Sequence, residues 1–147
     1  MSRSFLAIIT LVGALLWAPA ALSEDAEGYA RMARQTLVAF ECAHLADMTD
    51  KKAEHKRLFE YGLDQGRIAI EVIISGRADL VEFENRYPID FFDRVKGPSA
   101  DFALGRIYEA VGDDLYEELG HTMGGPVLRK ATAENQFRDD NCDLIGR

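Results

Sequence analysis

The chain has 147 residues, 48% of them hydrophobic, with 25 Asp and Glu against 17 Lys and Arg and a net charge of −8. An acidic balance of that size repels nucleic-acid phosphates and anionic lipid, which argues against both as partners. Two cysteines and three histidines leave little material for a metal-based active site.

The N-terminal segment has the three-part layout of a secretory signal peptide. Arg3 supplies the positive charge, "FLAIITLVGALLW" at residues 5–17 the apolar stretch, and "APAALS" the small residues suited to cleavage. Cleavage is expected after Ser23, with Ala20 as the other position. Thirteen residues are short for a permanent membrane span, so an uncleaved anchor is the less favoured reading. The expected location is the periplasm or the medium. The mature chain, residues 24–147, then carries 25 acidic and 16 basic residues, Arg3 having left with the signal. At 124 residues it suits one domain that buries roughly two-thirds of its unfolded surface. No later segment is long and apolar enough to remain in a membrane.

Residues 24–48 read as an amphipathic helix, with Tyr29, Met32, Ala33, Leu37, Phe40, Ala43 and Leu45 near a three-to-four residue repeat. Cys42 rides on its second half. In an oxidising compartment two cysteines in a small domain are expected to pair, and Cys142 is the intramolecular partner open to Cys42. Free thiols or an intermolecular bridge are the alternatives. The bridge closes a loop of about 100 residues, for which chain entropy gives ~4–5 kcal/mol as an upper figure.

"MTDKK" ends the first helix and starts a second, with Thr49 or Asp50 as N-cap. The second helix is expected to run through Ile74 and stop at Ser75-Gly76, with Leu58, Tyr61, Ala69, Val72 and Ile73 as its apolar set. Gly62, Gly66 and Ala69 form a small-residue strip inside it. That strip implies either a close helix–helix approach or a kink near Gly62. Residues 77–96 read as two short helices meeting at "RYPID", with Asp79 capping the first and Pro88 in the first turn of the second. After the "KGPS" break, Ser99 caps a helix carrying Phe102, Leu104, Tyr108, Val111, Leu115 and Leu119, closed by Gly120. "HTMGGP" is a loop, and Pro126 opens a last helix through about Phe137. The expected fold is all-α: one bundle of about four longer helices plus a short pair, closed by one disulfide.

Chemistry is sparse. Glu41/His44 and Glu118/His121 both read E-x-x-H, half of the ligand set of a di-iron carboxylate bundle, with Glu71 as a further carboxylate. His121 lies past Gly120 and Cys42 belongs to the bridge, so no metal and no cofactor is expected. Asp113-Asp114, Glu117-Glu118 and Asp139-Asp140 read as solvated faces rather than paired catalytic acids. Glu71 sits in an apolar run and is expected to pair with Arg67. Ser75 and Ser99 read as helix-end residues, and "KKAEHKR" at residues 51–57 as a solvated basic face. In "VEFENRYPIDFFDRV" the aromatics Phe83, Tyr87, Phe91 and Phe92 interleave with Glu82, Arg86, Asp90 and Arg94. Arg86, Tyr87, Phe91, Phe92 and Arg94 are the candidate partner-binding residues, though the same aromatics suit a core.

The leading expectation is a small exported protein-interaction protein, of inhibitor, immunity or chaperone-like kind, without catalytic activity. Its partner would be another envelope or secreted protein. An envelope hydrolase using paired or buried carboxylates is the alternative. A concave cleft gathering Glu71 or Glu41 with other titratable groups would favour the hydrolase.

Overall fold

A computed structural model of the chain describes residues 20–76, 88–120 and 125–147, with side chains from Ala26 onward. Among them are five α-helices and no strand: α1 (Ala20–Met48), α2 (Lys52–Ile74), α3 (Ile89–Phe92), α4 (Ala100–Gly120) and α5 (Gly125–Asp139). The expected helix around Asp79 and the residues Phe83, Arg86, Tyr87 and His121 lie outside the described residues. No helix among those described is long and apolar enough to cross a membrane.

The bundle is organised on α1, which packs against each of the other four helices and most extensively against α2. Its buried face is lined with Ala26, Ala30, Ala33, Ala39, Ala43 and Ala46, so a neighbour can come close. The facing side of α2 is equally small. An added Cβ on Gly62 would sit 2.6 Å from Phe40 Cε1, and one on Gly66 would sit 2.3 Å from Leu104 Cδ2. Helix α2 is continuous through both glycines, so it does not break there, and the contacts at each glycine favour close packing. The ~1 kcal/mol of helix propensity lost at each is offset by the approach it permits.

The turn between α1 and α2 corrects the expected N-cap. Thr49 Oγ1 donates back to Leu45 O (2.8 Å) and Ala46 O (3.2 Å), and α2 begins after Lys51 with no side-chain cap. Asp50 instead takes a left-handed φ of 60°. The Lys51 N–H reaches Ala46 O and the Asp50 N–H reaches Asp47 O, the paired bonds of a Schellman terminator with aspartate where glycine is usual. Helix α2 ends as expected, with Gly76 at φ 62°. Helix α4 starts as expected, the Phe102 N–H donating to Ser99 Oγ at 3.2 Å.

Two clusters form the core. In one, Phe40, Ala69, Ile70, Phe91, Leu104 and Ile107 bring the first part of α1, the second part of α2, α3 and the start of α4 together. In the other, Leu45, Leu58, Leu115, Leu119, Ala133 and Phe137 surround Cys42 and Cys142. The rings of Phe40, Phe59 and Tyr108 join the two, with centroids 4.9–5.9 Å apart. Cys42 and Cys142 are bonded, with Cα atoms 5.5 Å apart and both side chains buried. A second Schellman turn at the end of α5 delivers Cys142 to that place. Asn141 takes φ 53°, while the Cys142 N–H donates to Phe137 O and the Asn141 N–H to Arg138 O.

Candidate functional site

Past Cys142 the chain crosses back over α2. Arg57 donates to the backbone oxygens of Cys142 (3.1 Å) and Ile145, and is itself held by Glu54 at 2.6 Å. Glu54 also takes Arg147 at 3.1 Å, which keeps its carboxyl below the usual range, chiefly through the Arg57 hydrogen bond. The Tyr61 ring lies close against Gly146, where an added Cβ would come within 2.8 Å. Part of the "KKAEHKR" segment therefore anchors the tail rather than facing water. Lys51 covers the Phe137 ring at 3.8 Å, and His55 Nε2 meets the Tyr108 hydroxyl at 3.0 Å.

The anchored tail forms one wall of a groove of about 760 Å3. The opposite wall is one stripe of α1: Arg31, Arg34, Gln35 and Val38, spaced i, i+3, i+4 and i+7. Tyr61 of α2 also lines it, with Leu144, Ile145 and Arg147 of the tail. Val38 and Leu144 are 44% and 63% exposed. Three arginines and no Asp or Glu side chain line this groove, and Arg147 is already paired with Glu54. Arg34 pairs with Glu27 at 2.8 Å from outside the lining, while Arg31 has no ion-pair partner among the described residues. The sequence signal was the RxxR spacing at Arg31 and Arg34, which reads as an ordinary polar face until the tail is folded against it.

A second, smaller depression of about 200 Å3 has the opposite character. Leu37 and Glu41 of α1, Asp90 and Arg94 of and beside α3, and Val111, Asp114, Leu115 and Glu118 of α4 line it. Arg94 pairs with Asp114 at 3.1 Å. Glu41 accepts a hydrogen bond from Gln136 Nε2 at 3.2 Å. Burial raises the Glu41 pKa above its ordinary 4.5, with Asp140 and Glu118 adding repulsion in the same direction. The remaining member of the first E-x-x-H motif faces elsewhere. His44 stacks on the Tyr108 ring at 4.0 Å, and its Nε2 donates to Tyr108 O at 2.9 Å, with burial lowering its pKa. Among the described residues no group of three or more His, Cys, Asp or Glu is placed to hold a metal.

Several expected site residues move. Glu71 is exposed, five residues on from Gly66 and so about 140° round the helix from the packed strip. Arg67 does not pair with it, reaching Asp101 (2.7 Å) across to α4 and Asp64 (3.3 Å) on its own helix. Phe91, offered as a partner-binding residue, is instead core: it is 0% exposed and packs with Ile70 and Leu104. One turn of helix has room for one inward ring, and Phe92 beside it is half-buried. Arg94 stands on the rim of the acidic pocket, and Arg86 and Tyr87 lie outside the described residues.

Comparison with protein-family models, with curated proteins and with solved structures finds no match to this chain.

Proposed function

We propose that this chain is an exported helical interaction module, which binds another envelope or secreted protein and catalyses no reaction. The observation that carries this reading is the arginine-lined groove between α1, Tyr61 and the tail. Its volume falls within the ~300–1,000 Å3 typical of ligand sites, and it offers exposed apolar side chains beside charged ones, the composition of a binding hot spot. Export is supported by the apolar run at residues 5–17 and by the buried disulfide, which belongs to an oxidising compartment. The test is affinity capture of the mature protein from envelope extract, with mass spectrometry of what is retained. A stoichiometric protein partner that is absent from a denatured control is expected. Retention of nothing above that control would count against the reading.

A small envelope hydrolase is the second reading, favoured by Glu41. That carboxyl has a raised pKa, as a general acid needs, and shares its concave site with a second carboxylate residue, Glu118. Against it, the pocket is below the usual ligand volume, and its cation is already paired with Asp114. Assay of glycoside, ester and peptide substrates with the native protein and Glu41→Gln separates the readings, since only the hydrolase predicts turnover that Glu41→Gln abolishes.

A further inference from the structure

We infer that the tail docks before it is bonded: Arg57 is a positioning residue that holds the backbone at Cys142 beside Cys42, so oxidation seals a tail already in place. A disulfide fixes one pair of sulfurs and leaves the chain on either side of it free. Here non-covalent contacts hold the chain on both sides. Before the bond, Ala133 and Phe137 of α5 are buried, and Lys51 covers the Phe137 ring at 3.8 Å. After it, Ile145 packs against the second core cluster, the Tyr61 ring lies close against Gly146, and Glu54 takes Arg147 at 3.1 Å. Arg57 acts at the bond itself. Its guanidinium donates to Cys142 O at 3.1 Å and to Ile145 O, three residues on, and Glu54 accepts from it at 2.6 Å. A guanidinium carries its donors in a rigid fork, so one side chain spans two carbonyls where an ammonium would act as a point. These bonds are charge-assisted, and the Arg57 and Glu54 side chains are only 26% and 28% exposed, which shelters them from water. The Schellman turn at Asn141, which aims Cys142 inward, is closed by backbone hydrogen bonds and does not need the sulfurs joined.

With the tail down both sulfurs are buried, Cys42 at 1% and Cys142 at 0% exposure. Reagents therefore reach the thiols of the reduced chain when the tail lifts, and the Arg57 clamp sets how often that happens. Pairing takes a donor disulfide, small or protein-borne, as its oxidant. One protein thiolate attacks the donor and expels a donor thiolate. The other attacks the resulting mixed disulfide at the protein sulfur and expels the second. Two electrons pass to the donor, whose two thiolates take up the two protons.

The test uses the mature chain after reduction and removal of the reductant, with iodoacetamide as the probe and mass spectrometry to read each cysteine. Both thiols should react much more slowly than in the urea-unfolded chain. Arg57→Met should speed modification of Cys142 about 10-fold or more, the effect of losing a hydrogen bond to a charged group. Gly146→Ala leaves Arg57 in place but drives a Cβ against Tyr61, and it should speed the reaction too. Lys56→Met, on the exposed face beside Arg57, should not. Far-UV circular dichroism of the variants should keep the native helix content. The acceleration should depend only weakly on added urea, as local opening does and global unfolding does not. Thiols of the reduced native chain that react at the unfolded rate would show that the bond must come first. An unchanged rate in Arg57→Met would overturn the positioning role, as would an acceleration that brings loss of helix or rises with urea as steeply as global unfolding.

Discussion

Replacing Gly62 with alanine sets two effects of opposite sign against each other. Alanine gains about 1 kcal/mol of helix propensity over glycine in the interior of a helix such as α2. Its Cβ, however, would lie 2.6 Å from Phe40 Cε1 and 2.7 Å from Cδ1, far inside van der Waals contact. Overpacking of a filled core costs about 1–3 kcal/mol, and which end applies depends on whether the ring can yield. Phe40 is fully buried and is bracketed by Phe59 at 5.9 Å and Tyr108 at 5.2 Å, so turning it disturbs both. The upper part of the range is therefore expected, and Gly62→Ala should be less stable than the native protein by about 1–2 kcal/mol. Gly105→Ala is the control: nothing lies within 4 Å of the added Cβ, and the substitution should stabilise by up to about 1 kcal/mol. Urea unfolding followed by far-UV circular dichroism reads both, and the midpoint should move while the slope does not. Adding Phe40→Leu to Gly62→Ala should cost less than the two single losses summed, since the smaller side chain vacates the clash. If Gly62→Ala rises in stability together with Gly105→Ala, the tight α1–α2 approach is not what holds a glycine at this position.

Changing both Cys42 and Cys142 to alanine should cost ~4–5 kcal/mol by chain entropy, read from denaturation midpoints, and the native unreduced protein should offer no alkylatable thiol. Phe91→Ala should lower stability by about 3–5 kcal/mol, whereas Phe92→Ala should cost clearly less; equal losses in thermal melts would contradict the inward and half-outward placement of the two rings. For Glu41 the folded pKa is raised, so its contribution to stability is fully present below the ordinary carboxyl pKa of 4.5 and is lost as pH rises through the folded value. Glu41→Gln should accordingly be more stable than the native protein at neutral pH, with the gap closing as pH falls through the carboxylate range. A gap that is unchanged or wider in acid would refute the burial argument.

The helices and the disulfide were legible because each rests on a local or countable signal. Periodicity marked α1, α2 and α4; Ser99 and Gly76 marked ends; and two cysteines allow one intramolecular pairing. Glu71 was misread because its neighbours in sequence are apolar, while burial on a helix is decided by angle, and the packed strip of Gly62, Gly66 and Ala69 faces another way. Arg67 was assigned to the nearest carboxylate on its own helix, although Asp101 of α4 is brought to 2.7 Å by tertiary packing that no spacing rule encodes. Asp50 and Asn141 adopt left-handed conformations that glycine would have announced and they do not. The groove was illegible for the same reason in larger form. Its two walls, at Arg31–Val38 and Leu144–Arg147, are more than a hundred residues apart, and contacts distant in sequence, among them Arg57, Glu54, Tyr61 and the Cys42–Cys142 bond, bring them together.

That separation also sets a clock. A chain grows from its N-terminus at about 5–20 residues per second, so Cys42 exists as a thiol for roughly 5–20 s before Cys142 is made. With no other cysteine in the sequence, the first thiol has no wrong intramolecular partner during the wait, and pairing can be late but not scrambled. The hazard is between molecules. Two nascent chains, each holding an unpaired Cys42, could join to one another, a risk that rises with the rate of synthesis. Vigorous overproduction should therefore yield a covalent dimer through Cys42, and slower expression should yield the monomer with its tail in place.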